Sequence, residues 1–244
     1  MNSAAPVSVA RPFDRTFRYT LAERWMMLPT APVLLAAAVA DAGLGALVMQ
    51  DVPWLAALME LTALGLVALL PRMIAETRAR WRLKIRIWAG SLEVWLPAER
   101  GYAALPPVEQ RTALSRVDAV ETRVEAYRAV GIATLQRGWS LRLKDGSRID
   151  LGADRYPLKP LFETVAREVA ARSGAPIHDL GMVDASASGA ATIYGAKAPA
   201  WSAAALDAAT AARRRRSAGR IVLLFALGEA AMILVKVLHI LFGH

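Results

Sequence analysis

The stretch Trp54–Trp88, WLAALMELTALGLVALLPRMIAETRARWRLKIRIW, decides the architecture. From Trp54 to Leu70 it is apolar with one charge, Glu60. A helix rises about 1.5 Å per residue, so such a run crosses the hydrocarbon layer of a bilayer with little tilt. Basic residues follow, and from about Trp81 the pattern alternates. Trp81, Leu83, Ile85 and Ile87 fall on one side, and Arg80, Arg82, Lys84 and Arg86 on the other. Period two predicts a half-buried strand with a basic outer face. A membrane helix is expected to hand the chain directly to a sheet.

Two further apolar runs flank this one. Val33–Met49, extending back as far as Trp25, holds Asp41, and Ile221–Phe242 holds Glu229 and Lys236. Only Gln50 to Pro53 separates the first two runs, which predicts an antiparallel hairpin with Pro53 at a helix start. Ala38-Val39-Ala40 has the small residues of a signal cleavage site, but the long polar segment before the run and its continuation past Ala40 argue against cleavage. Arginines at 11, 15, 18 and 24 precede the first run, a basic cluster follows the second, and Arg213 to Arg216 with Arg220 precede the third. The positive-inside rule then places the N-terminal segment and residues 72–220 in the cytoplasm, and the 50–53 loop and C-terminal end outside. The expected location is a bacterial inner membrane.

Composition agrees. Of 244 residues, 55% are hydrophobic and 21% charged, with 30 Lys+Arg against 21 Asp+Glu and a formal charge of +9. Disorder is excluded by the apolar content. Cysteine is absent, which removes disulfides, thiolate metal sites and cysteine nucleophiles. Only His178, His239 and His244 are available as imidazole ligands.

Between the spans, residues 81–96 read as a hairpin about Ala89-Gly90-Ser91, and 97–113 as a loop rich in proline and glycine. A strand is expected within Leu114–Tyr127, another over Ile132–Gln136, and a hairpin from Trp139 to Leu151 about Asp145-Gly146, a strong turn signal. Leu161, Phe162, Val165 and Val169 predict a helix ending near Gly174. The order of two spans, a basic strand, a loop, LSRV (Leu114 to Val117), a strand, WSLRLKDGSRIDL (Trp139 to Leu151) and a closing helix resembles the bacterial PH-like (pleckstrin-homology-like) domain membrane proteins. That resemblance covers about residues 81–175 plus the preceding hairpin. It implies an α+β membrane protein in which a cytoplasmic β-barrel or sheet is closed by a C-terminal helix. With three transmembrane helices, the expected organisation is 1–24 cytoplasmic, 25–74 hairpin, 81–175 PH-like domain, 176–201 flexible linker, and 202–244 a basic segment entering the third span.

Asp41, Glu60, Glu229 and Lys236 are costly within a bilayer and mark candidate sites. They read as charge pairs that hold the spans together or dock a partner; an ion path, or side chains that snorkel or stay protonated, are the alternatives. Arg78, Arg80, Arg82, Lys84, Arg86 and Arg213, Arg214, Arg215 and Arg216 are expected at anionic headgroups. The seven tryptophans divide between the membrane boundaries and the sheet. No nucleic-acid motif, phosphate loop, dinucleotide fingerprint, nucleophile elbow or zinc-protease motif accompanies these charges. The expectation is a non-catalytic accessory subunit without cofactor or metal. Its expected partners are membrane lipids and a membrane-protein complex, or further copies of itself, and not nucleic acid. The alternative is a subunit of a transporter or ion-translocating assembly.

Overall fold

The computed structural model describes residues 14–25, 30–51, 53–129, 132–154, 160–185 and 198–218. The third apolar run, with Glu229 and Lys236, lies outside the described residues, as does Arg220. Over the rest the chain is α+β. β1 (Arg15–Phe17) and α1 (Leu21–Trp25) precede the helices α2 (Thr30–Val48) and α3 (Pro53–Arg82). The strands β2 (Lys84–Trp88), β3 (Ser91–Leu96), β4 (Val108–Ala113), β5 (Val117–Ala129), β6 (Ile132–Leu143) and β7 (Arg148–Asp154) follow, then α4 (Leu161–Ser173) and β8 (Ile177–Asp184). Residues 208–218 are helical.

Among the described residues, α3 is the one helix both long and apolar enough to cross a membrane, and α2 contains a shorter apolar helix, Ala31–Leu47. The two pack through small residues: Ala38 on α2 and Ala56 and Ala63 on α3 are buried. Leu58, Leu61, Leu64 and Val67 face outward and are exposed. Small residues at the seam let backbones approach closely, which is how helices associate where lipid is the solvent.

The helix-to-strand boundary differs from expectation. Arg80, Trp81 and Arg82 belong to α3, and the strand starts at Lys84. The Leu83 amide still donates to the Ala79 carbonyl at 2.9 Å. Glu76, Ala79, Arg80 and Leu83 are buried together, a spacing of three and four. A helix already under way gains one hydrogen bond for each residue added, and this outweighs the local alternation.

β1–β4 form one antiparallel sheet in sequence order, and the second sheet has the order β7-β6-β5-β8. Ile85, Ile87, Leu92 and Val94 of the first sheet share one core with Val120, Leu141, Ile149 and Leu151 of the second and with Phe162 and Val165 of α4. Burying each such side chain contributes about 1.5–3 kcal/mol. The two sheets remain separate, so no closed barrel forms. The Ala89-Gly90 turn has positive φ at both positions, 43° and 78°, as a two-residue hairpin requires. Gly152 is obligatory: its φ is 137°, and a Cβ there would lie 2.6 Å from Phe162 Cζ.

Four other boundaries are corrected. Residues 108–113, read as part of a loop, form β4, which pairs antiparallel with β3. β6 is a single strand where two had been expected. Residues 177–184, assigned to a flexible linker, form β8, which pairs parallel with β5. β1 draws part of the N-terminal segment into the first sheet through Arg15↔Ile87 and Phe17↔Ile85. The unit built on the two sheets therefore extends beyond 81–175 at both ends.

Candidate functional site

β5 is covered on both faces. Val120 enters the core, while Glu121, Arg123, Glu125 and Tyr127 alternate along the opposite face and are also buried. The segment 198–207 lies over them. Arg123, 1% exposed, donates from Nη2 to the Pro199 carbonyl at 2.7 Å and from Nη1 to the Ala200 carbonyl at 2.8 Å. Its guanidinium lies 4.0 Å from the centre of the Trp201 ring. The Leu206 amide donates to the Met182 carbonyl of β8 at 2.7 Å, and Arg214 pairs with Asp184 at 2.9 Å.

Glu125 neutralises Arg123. One carboxylate oxygen accepts from Arg123 Nη2 at 2.6 Å and from Nε at 2.9 Å. The other accepts from the Tyr127 hydroxyl and from Gln136 Nε2, both at 2.7 Å. Gln136 Oε1 in turn accepts from the Tyr102 amide at 2.9 Å. Burial, reinforced by the Glu125 charge, pushes the Tyr127 phenol well above its ordinary value. Glu121 is gripped by Arg148 at 2.6 Å and Arg142 at 3.1 Å.

Beneath this layer Arg100 donates to the carbonyls of Asp150, Pro97 and Pro106. Burial lowers its pKa to about 10, against the attraction of Asp150 and Glu99, so it stays cationic at neutral pH. Asp150 is pushed up by burial, opposed by the Trp201 indole and by Arg100, Arg123 and Arg148.

The space bounded by Arg123, Glu125, Asp150, Gly152 and Trp201 is about 20 Å³, room for about one water molecule. No group of three or more His, Asp or Glu side chains able to hold a metal occurs among the described residues. Arg123, Glu125, Tyr127 and Gln136 are bonded to one another and to the covering segment, while among the described residues Asp150 Oδ1 and Ser140 Oγ are buried without a hydrogen-bond partner. Chemically the arrangement is a clamp: a charge-assisted grip on two successive carbonyls, with an aromatic ring seated on the cation.

The expected site residues are dispersed. Asp41 and Glu60 are half-buried in the hairpin, and a Cβ on Gly45 would lie 3.2 Å from Glu60 Oε1. Glu60 therefore borders the α2–α3 seam, and Asp41 lies one turn from Gly45 on α2. Arg80 is buried, donating to the Glu23 carbonyl at 3.1 Å. On the outer face of the first sheet, Lys84 sits 4.4 Å from the Trp95 ring centre and Arg86 lies 3.9 Å from Asp14. Glu93 faces Arg86 on one side and Arg111 on the other, so acids balance this face. Arg78, Arg82, Arg213, Arg215 and Arg216 are exposed.

The Arg123 clamp was not among the expected sites. Its alternating charges match the pattern of a solvated strand face, and only the aromatic Tyr127 at the end of the row signals a cover. Family models, curated proteins and solved structures were compared with the chain, and none matches.

Proposed function

We propose that the chain is a non-catalytic accessory or assembly subunit of a bacterial inner-membrane complex. Three spans would carry a PH-like domain on the cytoplasmic side, which engages a protein partner or the anionic membrane surface. The clamp is the observation that carries this reading. Arg123 and Glu125 fasten the segment leading towards the third apolar run, while α3 enters the domain as a continuous helix. A domain gripped at both ends is held in a defined orientation, as a scaffold requires. The two sheets with α4 in their shared core support the PH-like assignment. Asp41 and Glu60 on the hairpin suit docking to a membrane partner carrying a cation.

The test is extraction of the tagged full chain in mild detergent. A membrane protein is expected to co-purify in fixed ratio and to be lost on Asp41→Asn or Glu60→Gln. Recovery of the chain alone overturns the reading. An intact complex whose ion flux fails in those variants assigns the transport role instead.

A further inference from the structure

α3 has 30 residues and α2 has 19. At 1.5 Å per residue, roughly 16 Å of α3 extends beyond its partner helix. This extension is two-sided. Glu76, Ala79, Arg80 and Leu83 turn inward and are buried, whereas Ile74, Arg78, Trp81 and Arg82 turn outward. α1 lies against it. The Trp25 and Trp81 rings meet edge to face at 5.1 Å, and the Arg24 guanidinium lies 5.2 Å from the centre of Trp81. Trp25 and Trp81 nevertheless stay 45% and 41% exposed, and Leu21, one turn before Trp25, 63%.

Three features of this face point to one occupant. Val67, Ile74 and Trp81 are seven residues apart and all exposed, so the apolar row of the span continues without a break to the tryptophan pair. Arg78 and Arg82 are exposed and have no ion-pair partner among the described residues. The nearby acids are engaged elsewhere: Glu76 holds Arg72, and Glu23 accepts from the Thr20 amide and hydroxyl. Tryptophan beside uncompensated arginine at the end of an apolar helix matches the headgroup layer, where an amphipathic ring has one wet side and a guanidinium meets phosphate.

Resting on the reading that α3 crosses a bilayer, we infer that the α1–α3 face formed by Trp25, Trp81, Arg78 and Arg82 is a seat for anionic phospholipid. It lays α1 on the cytoplasmic surface and fixes the tilt of the domain. Arg86 does not share this role, because Asp14 lies 3.9 Å from it and Glu93 stands opposite it in the sheet.

The full chain is placed in nanodiscs of phosphatidylcholine alone or with added phosphatidylglycerol, and amide exchange of residues 18–25 and 74–82 is followed by mass spectrometry. Exchange is expected to slow in the anionic discs, by about fivefold for each arginine engaged. High salt should abolish the difference, as should the double variant R78Q/R82Q, whose changes touch no buried group. Equal exchange in both discs overturns the inference and leaves the face to an acidic protein. Insertion is read separately, from co-elution of chain and disc: a chain that does not insert overturns the membrane reading itself, whereas an inserted chain indifferent to lipid charge overturns only the seat.

Discussion

Arg123 and Trp201 stand 78 positions apart in the chain, yet the guanidinium of one lies 4.0 Å from the ring centre of the other. The contact closes the long excursion through β6, β7, α4 and β8 and ties the last described segment to the middle of the second sheet. Arg123→Ala removes the cation and leaves Glu125 buried without its charge partner. Breaking a buried pair from one side costs about 3–5 kcal/mol. Trp201→Ala removes ring and stacking but leaves the ion pair, and is expected to cost about 1–2 kcal/mol. Urea unfolding in detergent measures both, and limited proteolysis should cut 198–207 faster in each variant. Equal, small effects would mean that the clamp does not hold the segment.

Gly152 offers a second test through backbone and space together. A Cβ at this position meets Phe162 at 2.6 Å and the Arg100 carbonyl at 2.8 Å. Gly152→Ala is expected to cost about 2–3 kcal/mol, the range of overpacked core sites. Gly146 also has positive φ, 81°, but open space around it, so Gly146→Ala should cost about 1 kcal/mol from conformation alone. Gly152→Ala should lower the midpoint further than Gly146→Ala, because crowding adds there to a backbone conformation that is itself less accessible to an L residue.

Asp154 caps α4, accepting from the Phe162 amide at 2.9 Å and the Glu163 amide at 2.8 Å. Burial nevertheless raises its pKa above the ordinary value of 3.8, outweighing the two amides. In the window between that value and the raised one, the folded state binds more protons than the unfolded. Stability from this group therefore falls as pH rises. The stability of the native chain minus that of Asp154→Asn should decline from pH 4 towards neutrality. A difference that grows with pH would show that capping outweighs burial.

The legible parts were those governed by local chemistry. Asp145-Gly146 announced a hairpin because few dipeptides tolerate that turn, and Gly174, with φ of 72°, ended α4 as its position after a helical period implied. The region from Arg80 to Leu83 was misread because RARWRL satisfies a period of two and a period of three to four at once, and only the momentum of α3 separates them. The clamp was hidden for another reason. Glu121, Arg123 and Glu125 repeat like a wet strand face, and the segment that covers them, Ala198 to Asp207, has no periodicity. A contact between two such stretches is set by tertiary geometry that neither encodes alone.

Gly45 tests the hairpin on which the docking proposal stands. An added Cβ would meet Glu60 Oε1 at 3.2 Å and the Ala56 carbonyl at 3.3 Å, while Gly43 on the same helix has nothing within 4 Å. The carboxylate end is flexible, so Gly45→Ala should be accommodated at a cost of about 1 kcal/mol or less. Gly45→Ile cannot be, because a branched side chain must displace the α3 backbone as well as Glu60. It should part α2 from α3, lower the midpoint of SDS-induced unfolding, and release any co-purifying membrane partner. Gly43→Ile, facing outward, should leave both unchanged. Partner loss in Gly45→Ile with an unchanged midpoint would place the partner on Gly45 itself. Partner retention with a lowered midpoint would move the docking surface away from the hairpin.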